Sequence, residues 1–167
     1  ILFLSKSLLS NEVLFEIEGN DFTDTTAIIS ILKDIPESPN KEYTNDIIRI
    51  LNNTNLFSDV QVKLEENKYL IIVQEYPNID KINFKNNERL QDDELQKIAL
   101  DTNFTKFNSS SINIFTNELI KTYATYGYNN VQINYTEKKY SQTNTVDLNF
   151  VINEGKITKI NKIIING

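Results

Sequence analysis

The sequence predicts an α+β fold written as tandem β-α-α-β-β units, each a three-stranded mixed sheet with two antiparallel helices on one face. Three observations carry this. A short alternating apolar strand ending in Gly or Asn recurs as Phe15-x-Ile17-x-Gly19-Asn20, Ile82-x-Phe84-x-Asn86-Asn87 and Ile163-x-Ile165-x-Gly167. After the first copy, and again after the second, come two stretches of helical periodicity and then two strand patterns. Each full unit closes on a Glu and a breaker, Glu75-Tyr76-Pro77 and Glu154-Gly155.

The elements follow in order. Gly and Asn take a positive φ most readily, so both suit a sharp exit from the first strand, and Asn86 can stand where the other copies have Gly. Thr23-Asp24 and Gln91-Asp92-Asp93-Glu94 then read as helix starts, with acidic residues at the positive end of the helix dipole. The acidic cluster is therefore expected to cap a helix rather than bind a metal. The first helices are expected over 24–33 and 92–100, with Ile28, Ile31 and Leu32, then Leu95, Ile98 and Ala99, on one face. The second helices are expected over 44–53 and 110–126, carrying Ile47, Ile48 and Leu51, then Ile112, Phe115, Leu119 and Tyr123. Asn55 and Gly127 fit the left-handed position after the helix, and Phe57 and Tyr128 then turn an aromatic ring back to the core.

Two strands complete each unit. Val60–Leu64 and Val131–Tyr135 alternate strictly, whereas Tyr69–Val73 and Val146–Ile152 are more apolar. A tight turn at Glu66-Asn67-Lys68 joins the first pair, and a longer polar loop over 138–144 joins the second. The hairpin makes the last two strands antiparallel, and two helices return the chain so that the first strand runs parallel to the last. The more apolar last strand then belongs in the centre. The expected divisions are residues 1–10 as a lead-in, 11–76 and 77–156 as two full units, and 157–167 as the first strand of a third. Residues 1–10 are apolar with small residues near their end. They are either the tail of a secretory signal peptide cut near Ser10-Asn11 or an ordinary lead-in, since Lys6 interrupts the run.

Composition removes several function classes. The 167 residues include neither Cys nor His, which excludes disulfides, thiol nucleophiles, His-containing zinc sites and Ser-His-Asp triads. The net charge of −6, with basic residues scattered among acidic ones, argues against nucleic acid. No cofactor and no metal is expected. The Asn-x-Ser/Thr matches at Asn52, Asn103, Asn108 and Asn134 follow from an Asn-rich composition and carry no weight as glycosylation sites. No internal run approaches the roughly 18 apolar residues of a membrane-spanning helix. Catalysis would have to rest on Glu75 and Glu154. Their repetition in each unit points instead to a structural role at the domain joint, so no enzyme is expected.

The corner sequences Asn55-Leu56-Phe57-Ser58-Asp59-Val60-Gln61-Val62 and Tyr126-Gly127-Tyr128-Asn129-Asn130-Val131-Gln132-Ile133 resemble the helix-to-strand corner of POTRA (polypeptide-transport-associated) domains. Val146–Gly155, followed by Lys159-Ile160 and Gly167, resembles the junction of the second and third POTRA domains in the BamA family of outer-membrane protein assembly factors. The resemblance covers about Glu12 to Gly167. It departs from the family pattern in having Asn at 55 and 86 and a short Ile35–Glu42 segment. It implies a periplasmic arm that precedes an outer-membrane β-barrel. Such arms take unfolded outer-membrane proteins from periplasmic chaperones and scaffold accessory lipoproteins. Membrane association is expected only through a C-terminal barrel not included in this sequence. TamA-like proteins, two-partner-secretion transporters and a generic periplasmic scaffold stand as alternatives.

The physical means available to such an arm is strand addition, in which an edge strand accepts an extended peptide through backbone hydrogen bonds. The expected edges are Val60, Gln61, Val62, Lys63 and Leu64, and Val131, Gln132, Ile133, Asn134 and Tyr135. The competing reading is an ordinary edge blunted by charges such as Lys63, Glu65 and Glu66. Tyr76, Pro77 and Asn78 are expected to form a hinge between the units, and Gly155 a second one after unit 2.

Overall fold

The computed structural model describes residues 13–158; the expectation for residues 1–10 lies outside that range, as does the third-unit strand expected over 157–167 except for Ile157 and Thr158, which are not strand. The chain divides into two units, one ending at Tyr76 and the next beginning at Pro77. Unit 1 runs β1 (Leu14–Glu18), α1 (Thr25–Ile31), α2 (Lys41–Asn52), β2 (Phe57–Glu65) and β3 (Lys68–Glu75). Unit 2 repeats the order as β4 (Asn78–Lys85), α3 (Asp92–Asp101), α4 (Ser109–Thr125), β5 (Gln132–Tyr140) and β6 (Thr145–Asn153). The sheets have the orders β1-β3-β2 and β4-β6-β5. In each, the first strand is parallel to the central one and the hairpin partner antiparallel. This is the arrangement the strand hydropathy predicts.

The alternation of the central strands places the core. Tyr69, Ile71 and Val73 of β3 and Val146, Leu148, Phe150 and Ile152 of β6 are buried on the helix side, whereas Leu70, Ile72, Asp147 and Asn149 face the more open side. In unit 1 these residues meet Ile28, Leu32, Tyr43, Ile47 and Leu51 of the helical layer. In unit 2 the core is aromatic. Phe150 has Phe84, Phe104 and Phe115 around it, at centroid distances of 5.9, 6.3 and 5.2 Å. Burial of one such ring stabilises a fold by about 1.5–3 kcal/mol, a large share of the margin available to a unit this small.

The turns are set by the residues that the repeat singles out. Gly19 (φ +83°) and Asn86 (φ +63°) both make the left-handed exit from their strands, and Asn55 (φ +57°) and Gly127 (φ +87°) both end the second helices that way. Asp24 caps α1 by accepting the Thr26 amide at 2.7 Å, and its carboxyl is held below its ordinary range by the Thr26 hydroxyl first and then by the backbone amides. The Gln91 amide donates to Glu94 at 2.9 Å, so the acidic cluster at 91–94 serves as a helix start.

Three boundaries differ from the sequence expectation. α2 begins at Lys41 rather than near Thr44, because Asn40 caps it through the Tyr43 amide at 2.9 Å and Tyr43 is itself core. The Tyr69 hydroxyl also ties this segment down, accepting from the Asn40 amide at 2.7 Å and donating to the Asn40 carbonyl at 2.9 Å. β2 starts at Phe57, with a register shift between Phe57 and Asp59. The largest difference is in the second hairpin. β5 continues to Tyr140, in register with β6 throughout, so Lys138 and Lys139 are strand residues and the turn is confined to 141–144.

Candidate functional site

A three-stranded sheet with its most apolar strand in the centre has two edges, so the two units present β1, β2, β4 and β5 as edge strands. They differ in how far the rest of the fold closes them. The β4 edge is occupied. The Ile79 amide donates to the Thr105 carbonyl, the Phe107 amide donates to the Pro77 carbonyl, both at 2.8 Å, and Asn78 bridges Lys106. Further along, the Gln96 side-chain amide donates to the Ile82 carbonyl at 2.8 Å. The loop between α3 and α4 thus does for β4 what a fourth strand would do. β1 is only five residues long, and its Glu16 pairs with Lys68 of the central strand.

β2 contains the predicted edge residues Val60, Gln61, Val62, Lys63 and Leu64. α2 packs on this strand, and Val60 is buried, so one face of the strand belongs to the core. The register shift near Ser58 and an ion pair between Glu65 and Lys68 at 3.5 Å frame its two ends. These are protective features of an ordinary edge.

β5 is different. Of its nine residues only Ile133 is half-buried, and the other eight are exposed. Neither α3 nor α4 packs along it as α2 does along β2. Its outer edge pairs with no strand among the described residues. Of the predicted edge residues, Gln132, Ile133, Asn134 and Tyr135 lie in β5. Val131 is a correction: it precedes the strand and is buried, because the corner after Gly127 turns its side chain into the unit 2 core.

The helix-side row of β5 carries chemistry that sequence reasoning missed. The Tyr135 ring is 40% exposed and lies 5.7 Å from Phe150 and 6.4 Å, edge on, from Phe107. Lys139 sits 5.3 Å over the Phe107 ring and pairs with Glu137 at 2.8 Å. On the opposite face, the Tyr140 hydroxyl donates to Asp147 at 2.9 Å, and Lys138 stands 5.1 Å from the Tyr140 ring. Thr136–Tyr140 has no apolar alternation to betray a strand, because both of its faces meet solvent. The one signal in the sequence is the alternation of Tyr135, Glu137 and Lys139 against Thr136, Lys138 and Tyr140.

The predicted hinge residues are each tied to their own unit. The Tyr76 amide donates to the Leu56 carbonyl at 2.9 Å. The Pro77 carbonyl accepts from Phe107, and the Asn78 amide donates to the Asn144 carbonyl at 2.8 Å. Gly155 (φ +69°) follows β6 and passes close to Asn130. Glu75 and Glu154, the repeated glutamates at the strand ends, each hold a loop: Glu75 accepts the Phe22 amide at 2.9 Å and the Thr23 hydroxyl, and Glu154 accepts the Arg89 amide at 2.8 Å. Among the described residues, no cluster of acidic side chains suited to a metal ion occurs, and no helix is long and apolar enough to cross a membrane.

The POTRA family model, described as a surface antigen variable number repeat, matches residues 77–155. The outer membrane protein assembly factor BamA of Neisseria meningitidis serogroup B is 28% identical over 155 residues. That alignment takes in 90% of this chain but 19% of the relative's length. Among solved structures, the N-terminal domain of Omp85 from Thermosynechococcus elongatus superposes with a TM-score of 0.58 at 15% identity. It covers 86% of this chain and 62% of that one. POTRA domains 1–2 of Omp85 from Anabaena align at 17% identity and a TM-score of 0.49, over 87% of this chain and 95% of that one. Residues 77–155 thus match a POTRA domain, and in its repeated strand order and corners the chain is similar to the POTRA region of BamA-like proteins.

Proposed function

We propose that this chain is part of the periplasmic arm of a BamA-like outer-membrane protein, and that it receives unfolded outer-membrane proteins by adding their extended segments to the edge of β5. The observation that carries this reading is the exposure of β5 on both faces along an edge with no partner strand among the described residues. A strand in that state keeps a row of backbone donors and acceptors ready for an incoming chain, and recognition through the backbone is largely indifferent to sequence. That suits a client class defined by its capacity to form β-strands. The exposed Tyr135 ring adds apolar surface beside the edge, and Lys138 and Lys139 keep the free strand soluble.

In this reading the location is the periplasmic face of the outer membrane, and the other partners are periplasmic chaperones and accessory lipoproteins. β2 is the lesser edge, because α2 covers one of its faces. The test is an NMR titration of the ¹⁵N-labelled chain with a synthetic peptide taken from an outer-membrane β-strand. The expected result is a set of shifts that runs along β5 and its neighbour β6. Shifts confined to other elements, or none at a large excess of peptide, would reject the assignment.

A further inference from the structure

The chain leaves unit 2 past the corner between α4 and β5 and touches that corner at three points over Gly155–Thr158. Gly155 comes first, so close to Asn130 that a Cβ on it would lie 3.3 Å from the Asn130 carbonyl oxygen. The Thr158 amide then donates to the Gly127 carbonyl at 2.8 Å. Between them, Ile157 lies against Gly127, where an added Cβ would stand 3.0 Å from Ile157 Cγ1.

Gly127 therefore meets two demands at once. Its φ of +87° ends α4, and its bare Cα accepts the Ile157 side chain. Unit 1 separates the two. There Asn55 makes the left-handed turn at φ +57°, and the exit is fastened one position later, from the Tyr76 amide to the Leu56 carbonyl. Asn suffices where only the turn is required. Glycine stands where a second segment also lies on the Cα.

We infer that the α4–β5 corner is a clamp that fixes the direction in which the chain leaves unit 2, with Gly127 as its seat and Ile157 and Thr158 as the clamped residues. Ile157 remains 47% exposed, and one backbone hydrogen bond closes the contact. So small a contact opens locally, without disturbing the sheet. The clamp is independent of the client edge, since β5 has its open side elsewhere and none of its residues takes part.

Amide hydrogen exchange on the chain tests this. The Thr158 amide is expected to exchange at least roughly tenfold more slowly than in an unstructured peptide. Gly127→Asn keeps a residue that tolerates the turn but places a Cβ against Ile157. It should return Thr158 to the unstructured rate while the β6 amides of Leu148 and Phe150 keep theirs. Ile157→Ala leaves the helix end untouched and should weaken the same protection. It carries the test if Gly127→Asn unfolds unit 2. An unprotected Thr158 in the native chain, or protection unchanged by the variants, overturns the inference.

Discussion

The Glu75 carboxylate accepts the Phe22 backbone amide at 2.9 Å, joining the end of the central strand of unit 1 to the loop that follows its first strand. Glu154 holds Arg89 in the same way in unit 2. Phe22 stands three residues past Gly19, and Arg89 three past Asn86, so the repeated Glu and the repeated turn form one device. The loop is held at its exit by the left-handed turn and at its far side by the carboxylate. This is the physical content of the Glu that closes each unit.

Replacing Glu75 by Ala should therefore cost unit 1 about 2 kcal/mol, the scale for losing hydrogen bonds to a charged group and stranding their donors. Glu154→Ala should cost unit 2 about 1 kcal/mol through the Arg89 amide it releases. Urea unfolding with an unchanged m-value, together with faster exchange of the Phe22 amide, would bear this out. A Glu75→Ala chain as stable as the parent would show that the latch is incidental.

Tyr123 should govern the alkaline limit of unit 2. Burial first, and then the neighbouring Glu154 carboxylate, push its hydroxyl well above the ordinary tyrosine value of 10.0. That hydroxyl is buried beside the Glu154 carboxylate. A raised pKa in the folded state means that the unfolded chain loses its proton first. Stability is then complete below pH 10.0 and is lost as pH rises towards the folded value. Tyr123→Phe should leave stability at pH 7 within about 1 kcal/mol of the parent and flatten the alkaline decline. Unfolding curves recorded from pH 7 to 11 would decide it, and an unaltered alkaline slope would point to another group.

The two exit turns should respond unequally to substitution. A Cβ at Gly19 would lie 2.1 Å from the Val73 carbonyl oxygen, at a φ that L-residues resist, so Gly19→Ala should destabilise by about 2–4 kcal/mol. Asn86 already carries a side chain at the equivalent turn, and Asn86→Gly should change stability by less than about 1 kcal/mol. Thermal melts of the two variants separate these outcomes. Equal effects would mean that the Val73 carbonyl does not exclude a Cβ at Gly19.

Much of this was legible in the sequence because it rests on local rules. Gly19, Asn86, Asn55 and Gly127 announce left-handed turns, and the hydropathy of Tyr69–Val73 and Val146–Ile152 places them in the sheet centres. The second half of β5 was not legible. Its pattern matches no buried face, since both of its faces are solvated, and a run such as Glu137-Lys138-Lys139 reads as a loop until its pairing with β6 is seen. The closure of the β4 edge by Thr105, Phe107 and Gln96 was also hidden. It depends on backbone groups and one amide side chain brought together by the fold, and no residue type marks such contacts in advance.

The central claim is that β5 is an acceptor edge, and the most direct measurement is of intermolecular NOEs between its backbone and a bound, isotope-labelled peptide from an outer-membrane strand. The account predicts contacts from peptide amide and Hα protons to the backbone of Gln132–Tyr140, in an unbroken ladder along the strand. A ladder along β2 or β4 instead, or contacts to side chains of the helical layer with no backbone pairing, would contradict it.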